Sequence, residues 1–173
     1  MSAAPFDNRL RRALRPLARL PRWVARPLRD RAIGRAIPFV GTAGLALESL
    51  DDAGAVLRLP DRRRVHNHIG GAHAAATALL AETATGLALG WHLPDDAVPL
   101  LVRLDVHYVR RAQGALRATA RLDGGAVATL RSAPRGELDV PVEVVDAAGE
   151  RPVECTLRWA WVPRRREPAA PAA

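Results

Sequence analysis

Asn67-His68-Ile69-Gly70-Gly71-Ala72-His73 runs without a break into Ala74-Ala75-Ala76-Thr77-Ala78-Leu79-Leu80-Ala81-Glu82, and this stretch decides the fold. From Ala74 through Trp91 the sole ionisable side chain is Glu82. Alanine and leucine dominate the run, so it reads as a helix, and a helix that is apolar nearly all round is normally buried on every side. A carboxylate in such a place is costly. It must be hydrogen-bonded, paired or held protonated, so either the structure compensates for it, through backbone or a threonine, or a reaction needs it.

Working outward, the flanks alternate with period two. Upstream, Leu45 and Leu47 belong to a strand that turns at Asp51-Asp52-Ala53-Gly54 into Val56-Leu57-Arg58-Leu59, which predicts a hairpin. Downstream, Leu100, Val102, Leu104, Val106 and Tyr108 alternate with Leu101, Arg103, Asp105, His107 and Val109, which predicts a strand with one half-buried apolar face. Leu116, Ala118, Ala120 and Leu122 continue the pattern after Gly114. Leu138, Val140, Val142 and Val144 read as one further strand before the turn Asp146-Ala147-Ala148-Gly149. Val153, Cys155, Leu157, Trp159 and Trp161 share one face of the last strand, making Cys155 a core residue. Gly124 to Gly136 fits either a strand or a short helical turn. The layout is two strands, one long central helix, then three or four antiparallel strands: an α+β fold with a curved antiparallel sheet packed on a helix.

A chain of 173 residues with 49% hydrophobic content fits one domain with a substantial core and excludes wholesale disorder. The formal net charge of +8 suits a polyanionic partner: nucleic acid, an anionic membrane or a phosphate-bearing small molecule. All basic side chains are arginine beside abundant alanine, a codon-bias signature that weakens the charge as evidence. Cys155 stands alone, which excludes an intrachain disulfide and a cysteine-based metal cluster. No apolar run approaches the roughly 20 residues of a membrane span, and the start lacks a secretory pattern, so a cytoplasmic protein is expected. Residues 1–35 read as a basic N-terminal helical extension, two short helices cut by Pro16, Pro21 and Pro27, peripheral enough that deletion should leave the core folded. The segment 8–36 packs at the domain edge or on a neighbouring subunit, or makes weak peripheral membrane contact. Residues 36–162 form the main domain, and residues 163–173, rich in Pro, Ala and Arg, a disordered tail.

Positions 67 to 86 hold the chemistry. Gly70 and Gly71 permit a tight turn into the helix, whose first N–H groups favour a developing oxyanion. His73 adds a side-chain donor, Asn67 can orient a water, and Glu82 can act as base or nucleophile. Zinc on His66, His68 and His73 lacks an evident fourth ligand, so no metal is expected. Glu82 follows His73 by nine positions, which at ~1.5 Å per residue places it roughly 13 Å further along the helix and about half a turn round. One chain alone cannot bring them together. A shared site requires a second helix antiparallel to the first, hence a homodimer or a dimer of dimers.

Asn67, Gly70, His73 and Glu82, with Leu80-Ala81-Glu82-Thr83, resemble the signature of hotdog-fold acyl-CoA thioesterases of the phenylacetate-pathway type. Ile37-Pro38-Phe39-Val40-Gly41-Thr42, the block from Asn67 to Ala76, the strand end from Tyr108 to Gly114 and the turn from Val144 to Gly149 look like an uncharacterised hotdog family related to them, over roughly residues 36 to 162. The resemblance implies a hotdog fold, an acyl-CoA or acyl-carrier thioester as substrate, and no cofactor beyond it. By position it makes Asn67 the water-orienting residue, His73 the contact to the thioester oxygen, the N–H of Ala74 the oxyanion donor and Glu82 the general base or nucleophile. Gly70, Gly71 and Gly86 shape the pocket. Ala74 and Ala75 stand where the family has paired glycines, and Gly86 where some relatives hold a hydroxyl. Arg110 and Arg111, at a strand end, suit the phosphates of coenzyme A, or are ordinary solvent-facing charges. The alternative is a hotdog module that binds acyl-CoA without turnover; nucleic-acid binding explains the charge but not this constellation, so none is expected.

Overall fold

The computed structural model describes residues 6–164. Its axis is helix α4, Ala74–His92, in which Leu80, Ala81, Ala84, Ala88 and Leu89 are fully buried. Seven strands surround it: β1 (Ala46–Asp51), β2 (Gly54–Leu59), β3 (Ala97–Tyr108), β4 (Leu116–Ala120), β5 (Gly136–Asp139), β6 (Val142–Val145) and β7 (Val153–Pro163). They pair antiparallel in the orders β1-β2-β4-β6 and β3-β7-β5, with β6 running beside β7, and α4 packs against members of both sheets. The helix is buried because its small and branched apolar residues fill the concave side of the strands. Leu47, Leu57, Leu59, Leu116, Val144, Leu157 and Trp161 supply the facing core. A fully buried leucine there is worth about 1.5–3 kcal/mol over an exposed one.

The β1–β2 hairpin and the α+β layout match the sequence reading, and four details correct it. Leu138 to Val144 is not one strand: β5 pairs with β7, and β6 pairs with β4 in the other sheet. Pro141 stands between them, where a residue without an N–H cannot continue a ladder. The ambiguous segment is helix α5, Gly124–Ser132, whose N-cap Asp123 accepts the N–H of Ala126 at 2.8 Å. The apolar face of β3, expected to be its buried side, keeps much of its exposure. Leu100, Val102, Leu104 and Tyr108 are 40–50% exposed, because β3 is an outer strand with only β7 beside it. Cys155 on β7 is partly buried, and burial pushes its thiol up to about 11.

The fourth correction concerns the N-terminal extension. It forms helices α1 (Arg9–Leu14) and α2 (Arg22–Ala36), the latter followed within the main domain by α3 (Pro38–Ala43), and Pro27 lies inside α2 instead of cutting it. Pro16 and Pro21 do punctuate the chain, in a 3-10 turn and at the N-cap of α2. Far from peripheral, Ala25 and Ile33 are buried, and Ile33 joins the main core. Asp30 accepts the N–H of Leu47 in β1 at 2.7 Å. The Asn8 amide, 2% exposed, donates to Gly90 O at 2.9 Å and Leu93 O at 2.8 Å. Gly90 lies in the last turn of α4 and Leu93 is its C-cap, where no intrahelical donor remains, so the extension caps the central helix. The break between α2 and α3 at Ile37 falls next to the expected boundary at residue 35, and contacts from Asn8, Asp30 and Ile33 cross it. At the other end, Pro163 completes β7 and Arg164 N–H reaches Asp96 O at 2.6 Å, while the expected tail from residue 165 onward lies outside the described residues.

Candidate active site

The loop before α4 is organised by Asn67. Its Oδ1 accepts the N–H groups of Ile69 and Gly71, both at 3.1 Å, while its own N–H donates to Gly71 O at 2.9 Å. This Asx turn needs a left-handed residue, and Gly70 supplies it with φ 75°. The Asn67 amide nitrogen contacts Ala72 O at 3.4 Å, which leaves its second hydrogen for other partners. Asn67 is thus foremost the residue that shapes the loop.

His73 is the N-cap of α4. Its Nδ1 accepts the N–H of Ala75 at 3.1 Å, so the ring proton sits on Nε2, and its backbone N–H donates to Val65 O at 2.8 Å. Among the described residues no acceptor is bonded to the N–H of Ala74. The helix start thereby offers two donors of independent origin, one from backbone and one from imidazole. The Tyr108 hydroxyl donates to Ala74 O at 2.7 Å and Arg111 donates to Ile69 O at 2.8 Å, so the end of β3 and the residues after it pin both the helix start and the loop. Burial raises the Tyr108 phenol above its ordinary value, which keeps it a donor.

Between these elements lies a pocket of about 340 Å³, with Asn67, Gly71, Ala74, Thr77, Tyr108 and Arg111 on its walls. Arg110 borders it too and pairs with Glu150 at 3.4 Å. Gly70 lines an adjoining depression with Gly71 and Arg111. The fold therefore gathers Asn67, Gly71, Ala74, Arg110 and Arg111, with His73 capping the helix beside them. The exposed His73 side chain does not line this pocket, nor do Glu82 and Gly86, which lie two and three turns along α4.

Glu82 is half-buried and has no hydrogen-bond or ion-pair partner among the described residues, and burial raises its carboxyl above the ordinary range. The compensation expected of a structural carboxylate is missing. Glu82 lies on a stripe with Ala75, Ala78 and Gly86, each of which keeps some exposure. Gly86 has a steric reason to be glycine: a Cβ there would meet Trp159 Cη2 at 2.9 Å. Trp159 Nε1 donates to Thr85 Oγ1 at 3.0 Å, which locks the indole against this turn. Reading by residue type missed Tyr108, assigned to the apolar face, whose signal was a hydroxyl at the strand end next to the pocket arginines; Trp159 is in the core, as expected. His66 pairs with Asp61 at 2.5 Å, and no group of three His, Cys, Asp or Glu that could hold a metal occurs among the described residues.

The family described as Domain of unknown function (DUF4442) matches residues 26–162. Among curated proteins none matches the chain. A crystal structure of a protein of unknown function from Pseudomonas aeruginosa, named "Probable Thioesterase", is 27% identical with a TM-score of 0.68, covering 84% of this chain and 97% of that one. A protein from Bacillus halodurans solved with CoA is 26% identical with a TM-score of 0.51, covering 62% and 66%. A Haemophilus influenzae thioesterase, 15% identical with a TM-score of 0.57 over 72% and 82% of the two chains, shares the fold. The fold is the α+β hotdog arrangement of these thioesterases.

Proposed function

The chain belongs to the DUF4442 family, and from that premise we propose that it hydrolyses acyl-CoA or acyl-carrier thioesters with a water activated by Glu82 of a second copy. The likeness to a probable thioesterase supports a thioesterase-like function, and the CoA-bound relative supports a CoA-type substrate. The observation that carries the finer reading is Glu82: an unpartnered, partly buried carboxylate with a raised pKa, on the exposed stripe of a helix whose start presents free donors.

In this reading the thioester oxygen takes hydrogen bonds from the Ala74 N–H and His73 Nε2–H. The partner's Glu82 removes a proton from water as its oxygen attacks the carbonyl carbon. The two donors and the helix dipole stabilise the resulting oxyanion. Collapse breaks the carbon–sulfur bond, and the departing thiolate recovers the proton from Glu82. Asn67 positions the water with its remaining amide hydrogen, and Gly70 and Gly71 give the backbone its approach. Arg110 and Arg111 face the phosphates of CoA with the N–H groups not engaged by Glu150 and Ile69. Two copies are required because Glu82 lies roughly 13 Å along the helix from His73. The uncovered edge and exposed apolar residues of β3 give the second copy its place.

The test is thiol release from a panel of acyl-CoA esters. Wild type releases CoA from at least one ester, and Glu82→Gln keeps acyl-CoA binding but loses at least ~10²-fold in turnover. Full turnover by Glu82→Gln would remove the carboxylate from the mechanism. The Ala74 methyl on the pocket wall favours one rival, an acyl-CoA-binding module. Binding of every ester without release would establish that rival.

A further inference from the structure

A second cavity, of about 280 Å³, is lined by residues of α1, α2 and β1 and by Trp91 in the last turn of α4, at the opposite end of that helix from the loop. Its floor is apolar: Leu14, Leu47, Leu50 and the Trp91 indole. Three arginines stand at its rim, and they are not equivalent. Arg11 is fully engaged, with Nε on Trp91 O at 2.9 Å, Nη2 on Asp52 and its guanidinium stacked 4.6 Å over Trp91. Arg15 pairs with Asp7 at 2.9 Å. Arg29 has no ion pair among the described residues, and its Nε is buried without a hydrogen-bond partner.

A buried guanidinium N–H with no acceptor is an unfavourable arrangement that proteins rarely leave in place without a use. The carboxylates that share a neighbouring depression with Arg29, Glu48 and Asp51, do not relieve it. Glu48 pairs with Arg117 at 2.7 Å and Arg26 at 4.0 Å, and Asp51 accepts the N–H of Ala53 at 2.8 Å. An apolar floor beneath an unsatisfied cation selects a ligand with both characters: an alkyl chain to cover the leucines and tryptophan, and a carboxylate or phosphate to meet Arg29. The volume, at the low end of the roughly 300–1,000 Å³ of small-molecule sites, suits a short or medium chain.

We propose that this cavity is a binding site for a single-chain amphiphilic anion, an alkyl carboxylate or alkyl phosphate, held by Arg29 and distinct from the thioester pocket. The site is built by the N-terminal extension, which also caps α4. It stands whether or not the chain hydrolyses thioesters.

The experiment is calorimetric titration of the full-length protein with sodium dodecanoate below its micelle concentration, with tryptophan fluorescence followed in parallel. Wild type binds dodecanoate, and Arg29→Met, which keeps the stem, weakens binding at least about tenfold, as loss of a charge-assisted hydrogen bond requires. Leu50→Trp, which fills the floor, abolishes it, with melting curves confirming that both variants fold. Octyl phosphate binds with the same dependence on Arg29. Absence of dodecanoate binding overturns the proposal, as does unchanged affinity in both variants, which would put the ligand elsewhere. Inorganic phosphate binding as tightly as octyl phosphate overturns the alkyl part. Sedimentation with phosphatidylglycerol vesicles, without binding of either monomeric amphiphile, would assign the arginines to a bilayer surface instead.

Discussion

At the scale of single residues, Glu82 ties stability to pH in a direction opposite to that of a salt-bridged carboxylate. Burial raises its pKa in the folded state, so between the unfolded and folded values the folded protein binds more protons. Stability therefore falls as pH rises through that window and stays lower above it. Glu82→Gln should melt at higher temperature than wild type at pH 7, and the gain should vanish below about pH 4, where Glu82 is protonated in both states. An equal melting difference at both pH values would place the effect in packing. In the proposed hydrolysis the same shift should move the acid limb of kcat/KM above the range of an ordinary glutamate, which a pH–rate profile would measure. The position of Glu82 was legible because a single charge in an apolar helix has few innocent explanations. The hydrogen bonds of Asn67 were not, since an Asx turn exists only once the loop's dihedrals are set, and composition does not specify them. Gly86 was read as a pocket position when its immediate reason is the ring of Trp159, a long-range contact across the chain.

At the scale of elements, the N-terminal extension behaves as part of the core. Replacing Asn8 by alanine leaves two buried carbonyls at the end of α4 without their donor, at a cost of about 1–3 kcal/mol, or several degrees of melting temperature. Differential scanning calorimetry measures this directly, and a change under one degree would show that water replaces the amide at no cost. Deleting residues 1–35 should go further and yield insoluble protein. Arginine and proline disguised this role. Arginine stems cover apolar surface while their charges stay wet, and Pro27 is accommodated within α2. Alternation located every sheet strand but could not separate β5 from β6. A period of two says nothing about which sheet a residue pair joins, and Pro141 was the overlooked mark of the switch.

At the scale of the whole molecule, β3 is the feature on which the proposed second copy would act. Twelve residues of outer strand with exposed Leu100, Val102 and Leu104 invite a partner strand or aggregation. Alternation revealed the apolar face correctly but assigned it inward, because sequence periodicity does not distinguish a face buried within a chain from one buried between chains. Light scattering at micromolar concentration should give at least a dimer. Val102→Arg should shift it towards monomer and lower thioester turnover in proportion. A monomeric wild type with full turnover would sink the shared-site reading. The hydroxyl of Tyr108 and the guanidinium of Arg111 hold the helix start and its loop from the end of this strand and the residues just after it. The strand that would meet a second copy therefore leads directly into the anchors of the donor groups. Separation of the copies would remove the base and slacken the oxyanion donors in one event, so specific activity should depend on enzyme concentration. Serial dilution into assay buffer should give a rate that falls faster than linearly, with a lag on remixing set by reassociation.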